Sequence, residues 1–126
     1  MHTLALIAHD RMKDRMVEFC QTHRQTLERF NLVATGTTGA RIHEATDLPV
    51  QRMLSGPVGG DAQIAAAVAT EQVQAVLFFV DPLHAHPHEP DIQGLLRVCN
   101  VHDTPVTTNV RAAELLLRSL AEEHPA

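Results

Sequence analysis

An alternation restricts this chain more than any other feature of it. Five short apolar runs, Thr3 to Ala8, Leu32 to Thr35, Pro49 to Leu54, Val73 to Val80 and Pro105 to Thr108, are separated by stretches with helical spacing. Strand-sized runs that are apolar along most of their length, as Leu4 to Ala8 and Ala75 to Val80 are without interruption, suit a sheet buried on both faces. A helix between successive strands supplies the crossover that parallel pairing needs. The predicted fold is α/β, a single domain over residues 1–126. Its core is an open parallel five-stranded sheet with helices on both faces, a three-layer sandwich of the Rossmann or flavodoxin kind. The longest predicted helix runs from Arg11 to Phe30, with Met12, Met16, Phe19, Cys20, Leu27 and Phe30 on its apolar stripe and Asp10 as its N-cap. A short helix follows Gly36-Thr37-Thr38-Gly39 through Ala45, and an alanine-rich helix spans Asp61 to Thr70. Asp91 to His102 and Val110 to Ala121 complete the set, and Asp81 to Pro90 is a long loop.

Composition narrows the function classes. The chain has 126 residues, a length for one domain, and 44 % hydrophobic residues, enough for a core without disulfide or metal staples. A net charge of −5 with no basic tract argues against nonspecific nucleic-acid binding. The aromatic residues are four phenylalanines, too few for a base-stacking platform. No apolar run approaches the ~18 residues of a membrane span, and the run after Met1 lacks the basic flank of a signal peptide. Cys20 and Cys99 form neither a CxxC pair nor a metal-ligand spacing, so they read as small buried hydrophobes in a reducing cytoplasm.

Open parallel sheets bind ligands beyond the carboxyl ends of their strands. The polar motifs of this chain sit there: His9-Asp10, Gly36-Thr37-Thr38-Gly39, Ser55 to Asp61 and Asp81 to Asp91 each follow a strand. Two of these loops are rich in Gly, Ser and Thr and each opens a helix. Backbone amides turned toward one point, hydroxyl donors and a helix N-terminus make such a loop either a phosphate cradle or only a tight turn. Neither loop has the GxxxxGK[ST] or GxGxxG pattern, so no nucleotide is implied. Nine of the ten basic residues are Arg, and the one lysine, Lys13, lies just past the first strand. A lysine there is a surface charge or a point charge for phosphate. Asp61 after Gly59-Gly60 is either an N-cap or a base beside a phosphate site. The run from Asp81 to Asp91 holds His84, His86 and His88. Its prolines and the want of a partner motif count against a metal site, and His88 with Asp91 could instead reach a pocket shared with Asp61.

Four blocks and a fifth segment together resemble the methylglyoxal synthases: HDRMK (9–13), ATGTTG (34–39), MLSGPVGGD (53–61), FFVDPLHAHPHEPD (78–91) and TPVTTN (104–109). The resemblance spans nearly the whole chain in order and spacing. It implies a lyase that converts dihydroxyacetone phosphate to methylglyoxal and inorganic phosphate without metal or organic cofactor, a cytoplasmic enzyme of the methylglyoxal bypass, assembled as a homohexamer. By the same resemblance Asp61 is the catalytic acid/base. His9, Lys13, Thr35, Gly36, Thr37, Thr38, Ser55 and Gly56 bind substrate, chiefly its phosphate. His88 and Asp91 assist at the carbonyl and hydroxyl end, with His88 also touching substrate, and Asp10 and Asp81 are further acidic positions. His84 and His86 are variable loop residues. Inorganic phosphate is implied as product and possible inhibitor; no nucleic-acid or membrane partner is implied. The competing class is a non-catalytic effector-sensing domain of the same fold, as in the regulatory segments of carbamoyl-phosphate synthetases, which would keep a cradle but need not keep Asp61, His88 and Asp91 together.

Overall fold

A computed structural model describes residues 2–55, 58–83 and 92–124. In chain order the elements are β1 (Thr3–Ala8), a 3-10 turn (Asp10–Met12), α1 (Lys13–Thr22), α2 (Arg24–Leu27), β2 (Asn31–Ala34), α3 (Gly36–Thr46), β3 (Gln51–Arg52), α4 (Gly60–Ala69), β4 (Ala75–Phe79), α5 (Ile92–Val101), β5 (Val106–Thr107) and α6 (Val110–Glu123). The strands form one sheet in the order β3-β2-β1-β4-β5, and every pair is parallel. The α/β expectation therefore holds. Chain order reverses at β1, which pairs with β2 on one side and β4 on the other, so the crevice at a topological switch point opens between the ends of β1 and β4.

Period-two alternation divides the core into two layers. Leu4, Leu6 and Ala8 of β1 and Ala75, Leu77 and Phe79 of β4 face Met16, Phe19, Cys20, Ile42 and Leu117 from α1, α3 and α6. Ala5 and Ile7 of β1 and Val76 and Phe78 of β4 face Ile64, Val68, Leu95 and Cys99 from α4 and α5. The two central strands are thus buried on both sides, which explains their unbroken apolar runs. The edge strands β3 and β5 are only two residues each, shorter than the predicted 49–54 and 105–108. An edge strand has one partner, and short edges leave little backbone open to a stray pairing.

The predicted long helix from Arg11 to Phe30 is three pieces. A 3-10 turn begins it, and the helix breaks at His23, whose φ of −107° and ψ of 23° leave the helical region. Its apolar stripe is placed as expected, because Met16, Phe19, Cys20, Leu27 and Phe30 are all buried. His23 at the break packs on the Phe19 ring and lies 3.7 Å from Glu114 of α6.

Both cysteines are fully buried in helices as reduced thiols. Burial pushes the Cys20 thiol from 9.0 up to about 12, and it raises Cys99 for the same reason. The folded form keeps protons that the unfolded chain releases above pH 9. Stability is therefore fully present below that value and falls as pH rises toward 12, by about 1.4 kcal/mol per pH unit for one thiol. The chain has no tyrosine and one lysine to blur this range. Urea midpoints measured from pH 8 to 11 should fall in the parent protein and fall less in Cys20→Ala.

Candidate active site

The carboxyl edge of the sheet is built around His9. Its N–H donates to the Phe79 carbonyl at 3.1 Å, so β1 and β4 remain paired to their last residue. The side chain is buried, and the ring stands edge-on to Phe78 with centroids 5.2 Å apart. Nδ1 accepts the Asp81 backbone N–H at 2.8 Å. A neutral His9 held this way carries its proton on Nε2, where it is a donor. Asp81 in turn accepts the Leu83 N–H on Oδ1 at 3.1 Å, which bends the chain as it leaves β4.

Asp10 does not cap the helix as predicted. The cap position belongs to His9, with no side-chain cap bond, and Asp10 opens the 3-10 turn. Three residues per turn bring positions 10 and 13 onto one side. The carboxylate there pairs with Lys13 Nζ at 2.8 Å. Lys13 is more enclosed than its partner, with side-chain exposures of 17 % against 49 %, so the acid presents the ammonium at the sheet edge.

The second loop is a fusion of two segments. β2 ends at Ala34, and α3 starts at Gly36 with Thr35 before it. Thr35 and Thr38 are buried and Thr37 is exposed. The Thr38 hydroxyl is buried with no hydrogen-bond partner among the described residues. Against this turn lies the segment after β3: Met53 N–H donates to Ala34 O at 2.8 Å and Gly36 N–H to Leu54 O at 3.4 Å. A Cβ on Gly36 would meet Met53 O at 3.3 Å and Ser55 N at 3.4 Å, so this approach favours glycine.

Ser55 continues into the helix that carries Asp61. Its carbonyl accepts the Val58 N–H at 3.1 Å and the Gly60 N–H at 3.0 Å. Gly59 turns the chain with φ of 106° and occupies the N-cap position. Asp61 is therefore the second residue of α4, and the N-cap reading of it is corrected. The turn needs a positive φ at residue 59, so helical geometry begins one residue earlier than predicted. A carboxylate in a helix's first turn still lies favourably in the field of that end. Asp61 also faces α5 across a cleft of about 310 Å³ whose far wall is Gly94, Leu95, Arg97 and Val98.

Three local units thus share one sheet edge: His9 with Asp81, Asp10 with Lys13, and residues 35–38 with Ser55 and Asp61. Gly56, His88 and Asp91 lie outside the described residues, as do His84 and His86. Sequence reasoning missed Arg52, which donates from Nε to Gly36 O at 3.1 Å, and Gln63, whose Oε1 accepts the Leu54 N–H at 2.7 Å. Both join groups 16 and 9 residues apart in the chain, and no local pattern marks such a contact.

The fold and this edge define a doubly wound α/β domain of the class that receives a small ligand beyond its strand ends. The family model described as "MGS-like domain" matches residues 15–108. The chain is 59 % identical over 125 residues to methylglyoxal synthase of Thermus thermophilus, with 99 % of each chain covered. It is 57 % identical over 120 residues to that of Carboxydothermus hydrogenoformans, covering 95 % of this chain and 99 % of the relative. A crystal structure of methylglyoxal synthase from Elizabethkingia anophelis NUHP1 superposes with a TM-score of 0.90 at 42 % identity, covering 92 % of this chain and 76 % of that one. This chain belongs to the methylglyoxal synthase family, a family of enzymes.

Proposed function

We propose that this enzyme eliminates phosphate from dihydroxyacetone phosphate to give methylglyoxal. The observation that carries the reading is the joined pair of loops. Residues 35–38 and Ser55 meet at the start of α3, where the Thr38 hydroxyl is buried with no hydrogen-bond partner among the described residues, and Asp61 lies in the first turn of the next helix. A phosphate oxygen would satisfy that hydroxyl and lie in the positive field of the helix end. With a net charge of −5, attraction of an anionic substrate has to be local, from Lys13, the Nε2–H of His9 and these loops.

In this reading Thr35, Gly36, Thr37, Thr38, Ser55 and Gly56 hold the phosphate with Lys13. Asp61, ionised, takes a proton from the hydroxymethyl carbon, and the carbon's electron pair moves into an enediolate. His88 donates to the enediolate oxygen, with Asp91 beside it. The C–O bond to phosphate then breaks, its electrons leaving with inorganic phosphate, and the remaining enol tautomerises to methylglyoxal. Elimination requires that bond to stand roughly perpendicular to the enediolate plane, so the cradle must orient the phosphate as well as bind it. Asp81 acts through His9 by setting its tautomer, and Asp10 by holding Lys13. The working form is a cytoplasmic homohexamer with inorganic phosphate as product and inhibitor. Among the described residues no helix is long and apolar enough to cross a membrane.

The test is a coupled assay on purified protein with dihydroxyacetone phosphate and EDTA, following methylglyoxal and phosphate together. Equal, enzyme-dependent release of both supports the reading. No release, with phosphate still bound in calorimetry, replaces it with an effector-sensing domain. Lys13→Ala is expected to raise KM and the phosphate inhibition constant on the order of tenfold, the size of a lost charged hydrogen bond, with a smaller change in kcat. An unchanged response to phosphate would remove Lys13 from the site.

A further inference from the structure

Residues 52–55 run between α3 and α4 and are held from both sides. The Leu54 carbonyl accepts the Gly36 N–H at 3.4 Å, and its N–H donates to Gln63 Oε1 at 2.7 Å. Two residues back, Arg52 Nε donates to the Gly36 carbonyl at 3.1 Å. The Arg52 stem lies so close on α3 that a Cβ on Gly39 would come within 2.9 Å of its Cγ. Gly36 is therefore gripped at both its N–H and its carbonyl by this one segment. Gln63 lies two residues past Asp61, so its amide ties the first turn of α4 to the same segment. Both side chains belong to exposed residues, and a surface hydrogen bond of this kind adds little to folding stability. Neither takes part in the chemistry proposed above.

We infer that Arg52 and Gln63 are positioning residues that set the placement of the phosphate cradle and of Asp61 against a common backbone segment. This rests on the function proposed above. Arg52 governs the α3 turn, so its loss acts on phosphate binding. Gln63 governs the turn that carries Asp61, so its loss acts on proton removal. Misplacing a reacting group by about 1 Å can cost ~100-fold in rate, so small displacements of α4 suffice.

The experiment compares kcat, KM and the phosphate inhibition constant in Gln63→Leu, Gln63→Glu and Arg52→Ala, with melting curves for each. Gln63→Leu should lower kcat on the order of tenfold with little change in KM. Gln63→Glu keeps an acceptor for the Leu54 N–H and should restore most of kcat, while its added negative charge raises KM for an anionic substrate. Arg52→Ala should raise KM and the phosphate inhibition constant several-fold and change kcat less. Should Gln63→Leu fail to fold, Gln63→Asn, whose amide is one carbon too short, takes its place. If the parent protein turns over and all variants match it, the inference is overturned and the function stands. An equal loss in Gln63→Leu and Gln63→Glu also overturns it. If the parent protein does not turn over, the proposed function fails with the Gln63 half of the inference. Phosphate titration by calorimetry then decides the Arg52 half: weaker binding in Arg52→Ala supports it, and unchanged binding overturns it.

Discussion

Asp61→Asn should turn over dihydroxyacetone phosphate ~10²–10⁴-fold more slowly than the parent protein, the usual contribution of a positioned acid/base. Asparagine fills the same volume on the same turn of α4 and still accepts hydrogen bonds, so the loop geometry around Ser55 and Gly60 survives. It cannot accept a proton from carbon. The lost step occurs only in the transition state, so kcat and kcat/KM should fall together while KM moves little. The stability cost is small: the carboxylate lies in the first turn of its helix, where a negative charge contributes about 0.3–1 kcal/mol. Lys13→Ala should give the contrasting profile: the ammonium is enclosed beside Asp10, and in the proposed function it holds the phosphate in the bound state. Near-normal kcat in Asp61→Asn would take the base role from Asp61 and point to another carboxylate of the same edge.

What could be read from the sequence, and what could not, follows from the range of the interactions involved. β1 and β4 were legible because both faces of each are buried, which leaves an unbroken apolar run of strand length. β3 and β5 were overrun because an edge strand's end is decided by its partner, and apolar residues such as Met53 and Leu54 continue past the pairing. The break at His23 was hidden because the apolar stripe passes through it: Phe19 and Leu27 are both buried on either side. At the site, placement beyond strand ends is a rule of topology, so His9, residues 35–38, Ser55 and Asp61 could be brought to one edge from their order alone. The local roles of Asp10 and Asp61 were misread because an acid before a helix looks like a cap in any sequence. Whether it caps depends on dihedral angles one or two residues away, here at His9 before Asp10 and at Gly59 before Gly60-Asp61. Arg52 and Gln63 left no trace because each bonds across 16 or 9 residues to a backbone group.

Gly60→Ala is expected to damage the protein more than Gly59→Ala, although the backbone angles alone would suggest the reverse. Gly59 has a φ of 106° and nothing within 4 Å of where a Cβ would be. Alanine there meets strain and open space, a cost of about 1–3 kcal/mol with the loop otherwise in place. Gly60 is the first residue of α4, where alanine would ordinarily gain about 1 kcal/mol of helix propensity. Its Cβ, however, would stand 1.8 Å from the Leu54 carbonyl oxygen, 2.8 Å from the Leu54 carbonyl carbon and 3.1 Å from that of Ser55. These are backbone atoms and cannot rotate aside as a side chain would. Either α4 or residues 54–55 must move by an ångström or more, and the Gly36–Leu54 and Gly60–Ser55 hydrogen bonds cannot both survive the shift. The stability cost should reach or exceed the ~1–3 kcal/mol typical of overpacking. The catalytic cost is larger in kind, because the same movement separates Ser55 and the α3 turn from Asp61, and a shift of about 1 Å can cost ~10²-fold. Melting curves and the coupled assay on the two variants decide the order. Gly60→Ala retaining parent-like activity would mean that the contact between α4 and Leu54 does not set the site's geometry, and the bridge between cradle and base would have to be sought elsewhere on the sheet edge.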